Sequence, residues 1–324
     1  MSKIARRAAH MALAGMLAAL CAGAHADDTL RVGKAVVENF GFIPLDIGMK
    51  AGLFAKEGLT IDEINFTGGA KLAQGVTAGA VDIALSGGPD MAYAAKGAPQ
   101  IAIASITSSP AFIGITVGSQ STARGLDDLK GKKIGVTSAG SLTDWLVDEL
   151  NRVKGWSGDN DRAMAVAIGG SPTTAFAALK TGQVDASVGA VPVGYQLEEL
   201  HAGRLLVDVS AYVTSIELFV TFGSTAIVQK NPGAVRRFLK AWYATIAYMK
   251  THRAETVTVT AEVIGYSPTV AERTYDELMA KFSSDGKFDP KALEKLSASF
   301  ADLKILDSSA DLSKLYTEEF LPKP

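Results

Sequence analysis

Four short loops place hydroxyls and glycines directly ahead of a helix: TGGAK (67–71), SGGPDM (86–91), TSAGSLTDW (137–145) and GGSPTTAF (169–176). Helix starts of this kind carry backbone N–H groups without intrahelical partners, together with the positive end of the helix dipole. They suit an anion or another hydrogen-bond acceptor. One such loop is explained by ordinary capping, as with Ser171 at the N-cap and Pro172 at the first helical position. Four of them, each following a strand, point to a binding surface. The rings of Phe40 and Phe42 in ENFGFIP, with Trp145, offer an apolar wall, although each ring singly fits a core equally well. Asp90 reads as the N-cap of the helix beginning at Met91; facing a ligand instead, it would disfavour an anion.

Other chemistries find little support. His201 and His252 have no Cys, His, Asp or Glu neighbours at metal-ligand spacing and read as surface histidines. No G-x-S-x-G occurs. GLDDLKGKK has the wrong spacing for a phosphate-binding loop and ends in Lys-Lys. The acidic pairs Glu198–Glu199 and Asp127–Asp128 lie in polar helical stretches and read as solvated. No catalytic residue, metal or cofactor is expected.

The loops need a scaffold, and the chain writes it twice. Strand-like TLRVGKAV (29–36), a helix at 48–59, strand-like TIDEINF and VDIALSGG alternate as in a parallel sheet covered by helices. IAIASI (101–106) and FIGITVG (112–118) extend that first sheet. The pattern restarts at KKIGVTSAGS (132–141). Gly79, Val81 and Asp82 recur as Gly182, Val184 and Asp185, each 103 positions on. In both copies a glycine ends a helix, Val-Asp opens a strand, and small residues close it where open α/β sheets bind ligands. Chance likeness of two generic βαβ units is the alternative. From residue 231 the character is helical, and Val235, Phe238, Leu239, Trp242, Ile246 and Met249 form an apolar stripe expected to clad the first half.

The 324 residues are 48% hydrophobic and 20% charged, with a formal net charge of −2, which suits two lobes and argues against a nucleic-acid partner. Lys3, Arg6 and Arg7, an apolar run over 11–22 and the small residues of AHA (24–26) predict an export signal cleaved after Ala26. Processing would remove Cys21, the only cysteine, and leave a more acidic chain.

GFIPLDIGMKAGLFAKEGL, TGGAKLAQGVTAGAVDIALSGG, GLDDLKGKKIGV and ALKTGQVDASVG together resemble ABC-transporter substrate-binding proteins of the nitrate/sulfonate/taurine type, over about residues 29–229. The resemblance implies a type II periplasmic-binding fold. Two α/β lobes, with parallel-rich sheets flanked by helices, would close on a ligand cleft. Lobe one would take 27–118 and return over 218–324, lobe two would take 119–217, and crossings would lie near 117–122 and 218–221. The family's ligand loops map onto Asn39, Phe40 and Phe42; Gly68 and Gly69; Ser86, Gly87 and Gly88; Ser138, Gly140 and Ser141; Ser171; Gly189 and Val191.

The implied function is periplasmic capture of a small anion of sulfonate, nitrate or aromatic-acid type by a monomer. It would serve an inner-membrane ABC permease and ATPase and perform no turnover. One departure stands out. Lys71 is the only basic residue in the loops, so a charged ligand would depend on amides and hydroxyls. A neutral heterocycle, such as the thiamine-precursor pyrimidine bound elsewhere in the superfamily, is therefore the alternative. An enzyme branch that makes this pyrimidine resembles a His- and Cys-dependent chemistry, and the processed chain has no cysteine. Regulatory domains of LysR type share the fold but carry DNA-binding helices.

Overall fold

The computed structural model describes residues 28–307 and 311–323. The expected export signal over 1–26 lies outside the described residues. Ten strands form two five-stranded sheets. The first contains β1 (Asp28–Lys34), β2 (Leu59–Asn65), β3 (Ile83–Gly87), β4 (Gln100–Thr107) and β10 (Phe219–Ser224), in the order β2-β1-β3-β10-β4. The second contains β5 (Ile113–Gly118), β6 (Lys133–Val136), β7 (Met164–Ala167), β8 (Ala186–Ala190) and β9 (Gly203–Asp208), in the order β7-β6-β8-β5-β9.

The two orders are one topology. In each sheet three parallel strands are followed by an antiparallel fourth that arrives from the other lobe: β10 between β3 and β4, and β5 between β8 and β9. This corrects the sequence expectation for 113–118. That segment pairs in the second sheet, so the first crossing lies between Thr107 and Ile113, before β5 rather than after it. An apolar strand pattern reports burial and carries no information about which sheet does the burying. The return crossing runs from Asp208 to Phe219. Glu217 in it is fully buried, accepting from the Ser105 hydroxyl at 2.6 Å and the Asp289 amide at 2.5 Å.

The repeated Gly-x-Val-Asp phrase has a structural role common to both lobes. The Asp82 amide donates to the Arg31 carbonyl at 2.9 Å, and its carboxylate accepts from the Arg31 amide at 3.0 Å. Asp185 makes the same two bonds with Lys133, at 2.8 and 2.9 Å. Each aspartate thereby clamps the neighbouring strand, at the middle of β1 and at the first residue of β6. Val81 and Val184 beside them are buried, and Gly79 and Gly182 adopt φ of 71° and 70° to leave their helices.

The helices used below are α1 (Ile43–Lys50), α2 (Leu53–Lys56), α3 (Gly69–Thr77), α4 (Met91–Ala95), α5 (Leu142–Lys154), α6 (Pro172–Thr181), α7 (Val191–Glu199), α8 (Thr225–Lys230), α9 (Pro232–Thr251), α10 (Arg253–Ile264), α11 (Pro268–Leu278) and α12 (Pro290–Asp302). The apolar stripe of α9 is core: all six residues are at most 1% exposed. It packs on α1 and α2, with the Phe54 and Phe238 rings stacked at 5.3 Å. The later helices do more than clad the first lobe. Trp145 of α5 donates from its indole nitrogen to Ser299 of α12 at 3.2 Å, and α11 packs against α7. Among the described residues no helix is long and apolar enough to cross a membrane.

Candidate functional site

The C-terminal ends of β3 and β8 face each other across a cleft holding about 740 Å³ of empty space, its open mouth included. On the first-lobe side, β3 delivers Ser86 and Gly87, and the tight turn Gly88–Asp90 brings Asp90 back towards them. Gly69 opens α3 beside Asp90; a side chain at 69 would overlap the Asp90 carboxylate. Asn39 and Phe42 come from the turn before α1, where the Asn39 side-chain oxygen accepts from the Gly41 amide at 2.8 Å. Phe42 meets Phe219 of β10 with ring centroids 5.0 Å apart, and both rings line the cleft.

Asp90 is not the helix cap its position suggests. Its side chain makes no capping bond to α4 and is only 2% exposed. The Ser86 hydroxyl donates to Oδ2, and Oδ1 is buried without a hydrogen-bond partner. Burial pushes this carboxyl up to about 7, against the opposing pull of the Ser86 hydroxyl.

The second-lobe side is built of hydroxyls. Thr137 follows β6, Ser141 stands at the N-cap of α5, and Thr143 lies in its first turn. Thr137 Oγ1 lies 2.7 Å from Ser141 Oγ and 3.0 Å from Thr143 Oγ1. Ser141 also donates to the Ser138 carbonyl at 2.7 Å, so its proton is already engaged. Ser171 caps α6 by accepting from the Thr174 amide at 3.2 Å, and Gly189 with Ala190 ends β8. All these residues except Ser138 line the cleft or, for Thr174, stand directly behind it.

Of the expected site residues, the structure therefore gathers Asn39, Phe42, Gly69, Ser86, Gly87, Ser141, Ser171 and Gly189. Six others fall outside the lining. Phe40 belongs to an aromatic cluster, 5.6 Å from Phe282 and 6.4 Å from Phe112. Val191 is buried inside the second lobe against Gly114, and Gly88 abuts the Glu217 backbone. Gly68, Ser138 and Gly140 form the rim where the lobes touch. A side chain at Gly68 would run into Ser138, and the Tyr93 hydroxyl donates to the Gly140 carbonyl at 2.5 Å. Trp145 packs against α12 rather than the cleft.

Sequence reasoning missed Thr137, Thr143 and the pair Gly169–Gly170, although all four sit inside the loops it singled out. It also missed Phe219, Ser187 and Glu38. Phe219 could be found only by knowing that β10 inserts beside β3.

Away from the cleft, a second contact joins α7 to α11. The Arg273 guanidinium lies 3.5 Å from the Tyr195 ring centre and pairs with Glu198 at 3.1 Å and Glu277 at 2.9 Å. The Tyr195 hydroxyl donates to Glu277, and Ser267 donates to Glu199 at 2.9 Å. Glu198 and Glu199 are thus partnered rather than simply solvated. Asp127 likewise pairs with Lys154 at 2.6 Å, and Asp128 accepts from the Arg124 amide at 2.6 Å. His201 and His252 are exposed.

The chain resembles several known proteins. It is 28% identical over 218 residues to a putative thiamine biosynthesis protein of Haemophilus influenzae, a match spanning 64% of this chain and 65% of that protein's length. It is 25% identical over 300 residues to the 4-amino-5-hydroxymethyl-2-methylpyrimidine phosphate synthase THI13 of Saccharomyces cerevisiae, covering 87% and 84% of the two chains. The fold matches the alkanesulfonate-binding protein SsuA of Xanthomonas axonopodis pv. citri, solved with MOPS bound. That likeness has a TM-score of 0.74 at 22% identity over 89% of this chain and 98% of the other. The architecture is that of a type II periplasmic-binding protein, as the two sheets and their crossings require. The NMT1/THI5-like family model matches residues 39–256, about two thirds of the sequence, and the chain belongs to that family.

Proposed function

We propose that this chain is the ligand-capturing component of an ABC importer, exported after loss of residues 1–26, and that its ligand is a small planar nitrogen heterocycle released unchanged. The lining of the cleft carries the reading. It combines two aromatic rings with hydroxyls, backbone edges and two carboxylates, those of Glu38 and Asp90, and includes no Lys, Arg, His or Cys. Lys71 is exposed and lies outside the lining.

A sulfonate or nitrate would enter a site whose lining has no cationic side chain, so that amides and hydroxyls alone would have to replace its hydration. A heterocycle with ring nitrogens and an amino group meets the same groups favourably, with its faces towards Phe42 and Phe219. The yeast relative's name supports a pyrimidine, and the Haemophilus relative's name supports a link to thiamine biosynthesis. The yeast name also raises catalysis, but the cleft lining offers no thiol, imidazole or amine nucleophile.

Titration calorimetry with 4-amino-5-hydroxymethyl-2-methylpyrimidine and with MOPS tests the ligand class. The pyrimidine is expected to bind and to be recovered unaltered by mass spectrometry. Tight MOPS binding without pyrimidine binding would reinstate an anion, and a chemically altered pyrimidine would make the protein an enzyme.

A further inference from the structure

We propose that Asp90, oriented by Ser86 and approached over Gly69, is the specificity-determining residue of the cleft and reads an amino or amidine-like edge of the ligand. The inference rests on the ligand-capture reading above and goes further, to the chemical group recognised and the atoms that recognise it.

Three observations converge. Asp90 Oδ1 is buried and has no hydrogen-bond partner, while Oδ2 is engaged by the Ser86 hydroxyl. An unpaired buried carboxyl oxygen is costly, and natural sites retain one where a bound partner satisfies it. The capping role that would explain an aspartate at this position is unfilled, since the side chain makes no bond to the start of α4. Gly69, next to Asp90 in the lining, leaves open the space that any larger residue would take from the carboxyl group.

The geometry suits a planar N–C–NH₂ edge. One carboxyl oxygen accepts from the exocyclic amino group. The other, when it carries a proton, donates to the ring nitrogen. Burial supports the protonated form near neutral pH, because it raises this group to about 7. Replacing the amino group by a carbonyl puts two acceptors together on one side and an N–H where an acceptor is wanted. Sites built to hydrogen-bond a particular substrate group discriminate strongly against analogues without it.

The test compares 4-amino-5-hydroxymethyl-2-methylpyrimidine with its 4-oxo analogue on the mature protein. Wild type is expected to favour the amino compound by about a hundredfold. Asp90→Leu, close in size and unable to pair, should bring that ratio to about one, whereas Asp90→Asn, which can both donate and accept, should restore part of it. Gly69→Ala, which crowds the same space without changing charge, provides a second variant and should weaken the amino compound at least tenfold.

An amino-to-oxo preference that survives in a folded Asp90→Leu protein overturns the inference while leaving pyrimidine capture intact. Binding of MOPS with neither pyrimidine bound overturns the inference while leaving ligand capture intact. Failure of all three compounds to bind wild type overturns both.

Discussion

The two lobes share a sheet order, an inserted antiparallel strand and an aspartate clamp, yet they present different chemistry to the cleft. The first lobe offers a buried carboxyl and two aromatic rings, at Asp90, Phe42 and Phe219. The second offers the linked hydroxyls of Thr137, Ser141 and Thr143, with Ser171 behind a glycine pair. The repeated Gly-x-Val-Asp phrase therefore marks the frame and not the ligand. It stands where each strand begins, and the residues that differ stand where each strand ends. A ligand with one apolar, amino-bearing side and one polar side would use that asymmetry directly.

The largest expected difference between the lobes is in their response to pH. Burial raises Asp90 to about 7 and Asp46 to about 6 in the first lobe, and Glu217, anchored to that lobe through Ser105, to about 7. A carboxyl raised on folding contributes stability fully below its unfolded value, near 4, and loses it as pH climbs through the folded value. The first lobe should therefore weaken between about pH 4 and pH 7. In the second lobe Asp148 is raised in the same direction, by burial opposed by Arg162. Hydrogen exchange of β1 and β3 against β6 and β8 across this range should show the greater loss of protection in the first pair. Asp90→Asn with Glu217→Gln should flatten it. Equal loss in both lobes would remove the electrostatic side of the comparison.

Next in size are the clamps. Asp82 holds the Arg31 amide and also its guanidinium, at 2.7 and 2.9 Å, whereas Asp185 holds the Lys133 amide. Asp82→Ala should cost about 2 kcal/mol and Asp185→Ala about 1 kcal/mol, since the second leaves a more exposed amide to water. Chemical denaturation of the two variants checks the order. A reversed order would mean that the guanidinium contributes nothing.

The smallest effect is expected at Ser171. Its hydroxyl caps α6 and also borders the cleft, so Ser171→Ala should lower stability by about 1 kcal/mol and weaken binding of the proposed pyrimidine ligand severalfold. Thermal melts beside calorimetry separate the two contributions. Unchanged affinity with the stability loss would make this loop a cap alone and place the recognition wholly in the first lobe.

Much of this arrangement was legible in the residues. Alternating strand and helix patterns, glycine stops and the cap-then-proline starts at Ser171, Asn231, Ser267 and Asp289 predict elements that the structure contains. The loops that line the cleft stand out by recurrence, since one hydroxyl- and glycine-rich helix start is ordinary capping and four after strands are not. Three things were hidden. The sheet that receives 113–118 depends on long-range pairing, which local periodicity does not encode. Phe40 and Phe42 are two residues apart on one turn, and which of them faces the cleft depends on Phe112, Phe219 and Phe282 arriving from elsewhere. Asp90 has the spacing of a cap, and only three-dimensional burial shows that it is none.

The position of β10 also bears on the order in which the molecule can assemble. The strands of the second sheet run without interruption from Ile113 to Asp208, whereas β3 and β4 of the first remain apart until Phe219–Ser224 is available to join them. Even then the outer edge of β4 is covered last, when the Ala102 amide reaches the Leu315 carbonyl at 3.0 Å. A chain emerging from its amino end can thus complete its second lobe while the first still has open strand edges. Closing the first lobe requires almost the whole polypeptide. Premature compaction of the leading half is limited by the topology itself, a delay that the export proposed above would use.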